Sequence, residues 1–139
     1  MPFPPPPPGT ILVWLADMDR PPVPRDDLEA LLVPEERARQ ARFVFARDRD
    51  RYAVARGLLR TILGEATGVA PGRVRLVAGA NGRLALAEGP AFNVSHSDAR
   101  LAIALAGDDA RLPLGVDVER ARAIDDLDDV AARVCMADE

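Results

Sequence analysis

At 139 residues, with 48% hydrophobic and 29% charged side chains, the chain has the composition of one folded domain with a real apolar core. A net charge of −4 with only 4% aromatics argues against a nucleic-acid partner, and the apolar runs are too short to cross a bilayer. Cys135 is the single cysteine, so no internal disulfide is available, and with no basic-then-apolar leader the expected setting is the cytoplasm.

Residues 2–8 form a near-continuous proline run, expected to be an extended, unstructured tail covering residues 1–9. Thr10 to Ala16 reads as a buried strand that ends at Asp17 and the Pro21-Pro22 turn. Asp26 and Asp27 suit the start of a short helix running to Leu32, and Pro34-Glu35-Glu36 opens another with proline and acids in its first turn. Asp48 or Asp50 starts the longest helix: Tyr52, Ala55, Leu58, Leu59 and Ile62 recur at helical spacing, with Gly64 near the end.

After Pro71-Gly72 the period falls to two. Strands are expected at 74–77, 84–87, 91–94, 101–105 and 114–118, with a turn at 79–82, and a final acidic amphipathic helix at 125–133. A strand, then helices, then an antiparallel meander make an α+β fold.

Charge is unevenly spread. Between Glu35 and Arg60 eight Arg face four acids, whereas from Gly107 to Glu139 ten acids face four Arg. A basic helical region beside an acidic one suits an anionic ligand bridged by a metal ion; the alternative is a solvated arginine face.

Two motifs carry chemistry. In Phe92-Asn-Val-Ser-His-Ser97 the only His sits among hydroxyl and amide side chains, and in Gly115-Val-Asp-Val-Glu119 two carboxylates stand one residue apart. Residues i and i+2 of a strand point to the same side, so Asp117 and Glu119 share one face and Val116 and Val118 the other. Paired carboxylates need a cation, and an all-oxygen set favours Mg²⁺ held together with substrate phosphates. Ser95 and His96 are then candidate donors on the far side of such a phosphate.

These motifs, behind the arginine-rich stretch 42–60, resemble the 4′-phosphopantetheinyl transferases of the larger, Sfp-like branch, whose chains contain two similar α+β halves. The resemblance covers residues 10–139 and implies an Mg²⁺-dependent enzyme that moves the phosphopantetheine arm of coenzyme A onto a serine of an acyl- or peptidyl-carrier protein. It implies an N-terminal half at 10–107 and the first strand and helix of a second half at 108–139. It also implies coenzyme A contacts by Arg39, Arg83, Ser95 and His96, and metal binding and catalysis by Asp117 and Glu119, Asp117 being the stronger ligand. Glu119 has a second reading as a solvated strand-end acid, and Arg51 and Arg56 suit ligand and ion-pair roles alike. Glu36 stands where some members have a Lys, a weaker grip unless Arg37 substitutes, and Leu84 replaces the usual proline of a nucleotide-contacting turn.

Family members continue into a helix with a Trp and a Lys-Glu-Ala motif, and this sequence has no Lys. The expectation is a transferase site that is incomplete in this chain. The alternative is an inactive remnant that binds coenzyme A weakly. Either would leave the apolar faces of 114–118 and 125–133 short of cover, favouring self-association or pairing with a C-terminal fragment.

Overall fold

The computed structural model describes residues 3–79, 82–107 and 113–121. The expected helix at 125–133 and Cys135 lie outside them, as does the middle of the expected turn at 79–82. In chain order the elements are β1 (Ile11–Asp17), α1 (Arg25–Glu29), α2 (Pro34–Ala41), α3 (Ala46–Thr67), a 3-10 turn at Pro71–Arg73, β2 (Leu76–Ala78), β3 (Leu84–Leu86), β4 (Phe92–Ser97) and β5 (Arg100–Ala106). The α+β class holds. No described helix is long and apolar enough to cross a membrane.

The expected meander is replaced by two sheets. β2 and β3 form a separate antiparallel pair, and β1, β5 and β4 form a three-stranded antiparallel sheet with β5 at its centre. The reason lies in β5 itself: Leu101 to Leu105 are all buried, so this strand needs a neighbour on each side and cover on both faces. β1 supplies one neighbour, with Trp14 opposite Ile103, and β4 the other, with Val94 opposite the same residue.

α3 packs on the inner face. Leu58, Leu59, Ile62 and Leu63 are at most 2% exposed and join Leu101, Ile103 and Leu105 in one cluster. Each such side chain contributes about 1.5–3 kcal/mol by leaving water. α1 crosses α3 at Gly57, where an added Cβ would lie 2.6 Å from the Leu28 carbonyl oxygen, so only glycine permits the approach. α3 ends at Thr67, three residues beyond Gly64, the glycine expected near its end. That glycine admits the carbonyl of Val69, and the helix is capped at Gly68, which has φ 72° and donates its N–H to the Gly64 carbonyl.

The proline-rich stretch is anchored at Phe3 and Pro6, which are buried, while Pro4, Pro5, Pro7 and Pro8 are exposed. Phe3 belongs to the core cluster and donates its N–H to Glu65 Oε2 at 3.0 Å, while the Pro7 carbonyl crowds Gly107 so closely that no Cβ fits there. That anchoring corrects the expectation of a free tail.

Segment 114–118 is extended but is not a strand of the sheet. It lies along β4 and makes its hydrogen bonds to side chains. Its alternation is as read: Leu114, Val116 and Val118 are half-buried, and Gly115, Asp117 and Glu119 exposed. Val116 and Val118 therefore have more cover than expected. The exposed apolar face belongs to β1, where Ile11, Val13 and Leu15 are 55%, 51% and 74% exposed.

Candidate functional site

β4 separates two clefts, because alternate residues of a strand point to opposite faces. His96 faces α3; Asn93, Ser95 and Ser97 face segment 114–120. The two-residue turn at Asp98-Ala99, with Asp98 at φ 50°, brings the end of β4 and its charged groups to the surface.

The first cleft has a volume of about 430 Å³ and lies between the N-terminal half of α3, the end of α2 and the tips of β1 and β4. Asp48, Arg51, Tyr52, Ala55 and Arg56 line it from α3 at spacings of three and four, so one helix face supplies much of the wall. Arg39 comes from α2, His96 from β4, Phe43 from the turn into α3 and Arg47 from the first turn of α3 itself. Phe43 and Tyr52 pack with their rings tilted at 41° and their centroids 5.6 Å apart, and the Arg56 guanidinium carbon sits 5.4 Å from the Tyr52 centroid. The result is a partly aromatic wall inside a cationic pocket.

The cations differ in what already holds them. Arg51 donates to both oxygens of Asp19 at 2.8 Å, a bidentate pair on the rim. Arg47 approaches Asp48 at 3.6 Å, and Arg56 approaches the buried Glu36 at 3.3 Å. Among the described residues Arg39 is in no ion pair, so its charge is available to a ligand. Arg37 cannot stand in beside it: its guanidinium is committed to the carbonyls of Leu32 and Glu29. Glu36 lies inside the protein, where Arg60 Nε donates to its Oε1 at 2.7 Å.

The hydrogen bond from Arg51 holds the Asp19 carboxyl below its usual 3.8, and Asp19 in turn raises Arg51. Because the folded value lies below the unfolded one, the pair's stabilisation is fully present above pH 3.8 and disappears as pH falls through the lowered folded value. Asp19 is half exposed, so the contribution is under about 1 kcal/mol. Asp19→Asn is expected to cost this at pH 7 and progressively less as pH falls below 3.8, read as the difference in urea midpoint at each pH.

The second cleft, of about 370 Å³, contains Arg83, Asn93, Ser95 and Asp117. Ser95 Oγ donates to Asp117 Oδ1 at 3.1 Å, and Arg83 lies against Gly115, where an added Cβ would meet its Nη2 at 3.8 Å. Asp117 and Glu119 are exposed and, among the described residues, in no ion pair. No group of three His, Cys, Asp or Glu able to hold a metal occurs among the described residues. Two carboxylates with open oxygens fit a hard cation such as Mg²⁺, which keeps several positions for water and substrate phosphate.

The structure thus brings Arg39 together with His96, and Arg83 with Ser95 and Asp117, on opposite sides of one strand. Arg47, Phe43, Met18 and Tyr52 join the first cleft without having been singled out from the sequence. The α3 members were detectable by their helical spacing; Met18 follows β1 and gave no signal.

Residues 25–108 match the family described as 4′-phosphopantetheinyl transferase, N-terminal. The chain is 36% identical over 126 residues to the 4′-phosphopantetheinyl transferase HetI of Nostoc sp., an overlap of 87% of this chain and 52% of that protein. It is 34% identical over 89 residues to a Synechocystis sp. protein provisionally named a 4′-phosphopantetheinyl transferase, covering 61% of this chain and 35% of that one. The chain therefore spans about half the length of the first relative and about a third of the second. Both the matched family and the two relatives place the chain in the 4′-phosphopantetheinyl transferase family.

Proposed function

We propose that the chain carries the coenzyme A-binding and metal-binding faces of an enzyme that transfers 4′-phosphopantetheine to a serine of an acyl- or peptidyl-carrier protein. The observation that carries this reading is the pair of clefts on either side of β4, one cationic and one carboxylate-bearing. Coenzyme A has two separated phosphate centres, a 3′-phosphate on the ribose and a pyrophosphate bridge. Arg39 and His96, which line the same cleft, would bind the first, and the Phe43 and Tyr52 rings would offer apolar contact to the base. Asp117 and Glu119 would hold Mg²⁺, and Arg83 adds a cation on the same side.

Bound there, Mg²⁺ would neutralise the pyrophosphate as charge moves to the departing 3′,5′-ADP. This chain's own residues bind and orient: the arginine cleft grips the nucleotide end, and segment 114–119 offers its carboxylates to the cation. The carrier serine, once it has lost its proton to a base, attacks the β-phosphorus, and the bond to the ADP oxygen breaks.

Calorimetric titration with coenzyme A tests the reading. Binding is expected to weaken as salt is raised and to tighten when Mg²⁺ is added. Affinity indifferent to both salt and Mg²⁺ would overturn it. An apo carrier protein incubated with coenzyme A, Mg²⁺ and this chain separates transfer, seen as the mass gain of one phosphopantetheine arm, from binding alone.

A further inference from the structure

Three side chains on one face of β4 meet three backbone amides of the neighbouring segment in matching register. Val116 N–H donates to Asn93 Oδ1 at 2.8 Å, Val118 N–H to Ser95 Oγ at 3.0 Å, and Arg120 N–H to Ser97 Oγ at 3.2 Å. Donors and acceptors both advance by two residues, the period of extended chain. Arg120 also donates from Nη1 to Asp98 Oδ2 at 3.1 Å, which fastens the end of the row. Elsewhere in the sheet backbone carbonyls accept these amides; here an amide oxygen and two hydroxyls do so.

We infer that Asn93, Ser95 and Ser97 are positioning residues that dock segment 114–120 and present Asp117 to a divalent cation, with Ser95 orienting the carboxylate directly. The inference rests on the metal-binding reading of Asp117 proposed above. The decisive count is of protons. A serine hydroxyl has one to donate, and that of Ser95 goes to Asp117 Oδ1 while its oxygen accepts from Val118. Ser95 therefore has no proton left for a phosphate in this arrangement, and its role passes through Asp117 instead of touching coenzyme A. A slip of the segment by one residue would offer amides 115, 117 and 119 to the row and turn both carboxylates to the other side. The row thus fixes which face the carboxylates occupy. It also explains why β4 carries short polar side chains at three alternate positions, where an outer sheet face would accept many residue types.

The test uses the full chain with Ser95→Ala, Ser95→Thr and Asn93→Ala. Mn²⁺ affinity is measured in the presence of coenzyme A by the loss of the free-ion electron paramagnetic resonance signal. Coenzyme A affinity is measured separately without metal, and amide exchange at Val116 and Val118 by nuclear magnetic resonance. Ser95→Ala is expected to weaken Mn²⁺ binding by about 10–100-fold, the range for a group that orients a metal ligand. It should also expose the Val118 amide and leave metal-free coenzyme A binding unchanged. Ser95→Thr, which keeps the hydroxyl, should restore both signals. Asn93→Ala should release the Val116 amide in the same way. Weaker metal-free coenzyme A binding in Ser95→Ala, with Mn²⁺ affinity and Val118 protection intact, would overturn the inference and make Ser95 a ligand contact. If the wild-type chain takes up no Mn²⁺, the metal-binding reading fails, and unprotected amides at 116 and 118 would show separately that the row does not form.

Discussion

Glu36→Ala is expected to lower the unfolding free energy by about 3–5 kcal/mol, the cost of breaking a buried ion pair from one side. Glu36 is 7% exposed and Arg60 3%, and Arg60 reaches three acceptors at once: Glu36 Oε1 at 2.7 Å, Val74 O at 2.9 Å and Pro71 O at 3.1 Å. Glu36 in turn accepts the Val33 N–H at the start of α2. One carboxylate thereby ties α2 to α3 and to the turn that leads into β2. Without it the Arg60 charge stays inside the protein with only carbonyls for company, and Arg56 loses the anion beneath it. A loss of that size would consume much of the 5–15 kcal/mol typical of a whole domain, so the urea midpoint should fall sharply. Glu36→Leu combined with Arg60→Met removes both charges and should recover most of the loss, since apolar pairs of similar volume often replace buried ion pairs at little cost. A fall of less than about 1 kcal/mol in Glu36→Ala would mean that water reaches Arg60 and that the pair is not the tie described.

That pair also marks where reading the sequence stopped. Helical spacing was enough for most of α3, apolar runs for β1 and β5, and first-turn proline and acids for α2, although β1 reads as a buried strand and has Ile11, Val13 and Leu15 exposed. Glu36 gave no such signal of its burial. Its partner lies twenty-four residues away, so the residue looked like a missing cation when it is a buried anion. Phe3 was hidden in the same way, an isolated aromatic in a proline run that becomes part of the core only through α3 and Glu65. In segment 114–118 the alternation was legible but the partner was not. Nothing in a residue string says that an amide will choose a serine oxygen over a backbone carbonyl, yet that choice explains why the extended segment is no strand. The candidate residues were visible as types, whereas their division between two clefts follows from which face of β4 each one occupies.

Arg39→Ala and His96→Ala should each weaken coenzyme A binding by about ten- to 150-fold, the effect of losing one charge-assisted hydrogen bond worth about 1.5–3 kcal/mol. Arg39 enters the cleft from α2 without a competing anion among the described residues, and His96 faces it from the tip of β4. Both act, in the proposed pose, on the 3′-phosphate. Dephospho-coenzyme A, which lacks that group, should bind the wild-type chain less tightly and lose little more in either variant. Arg37→Ala is the matched control. It removes the same charge two residues away, but its guanidinium is spent on the Leu32 and Glu29 carbonyls, at 3.2 and 3.1 Å. Its loss should lower stability and leave coenzyme A affinity nearly unchanged once folding is accounted for. Equal losses of affinity in Arg37→Ala and Arg39→Ala would show that the ligand responds to the basic surface as a whole, and the cleft would then have no special claim on the 3′-phosphate.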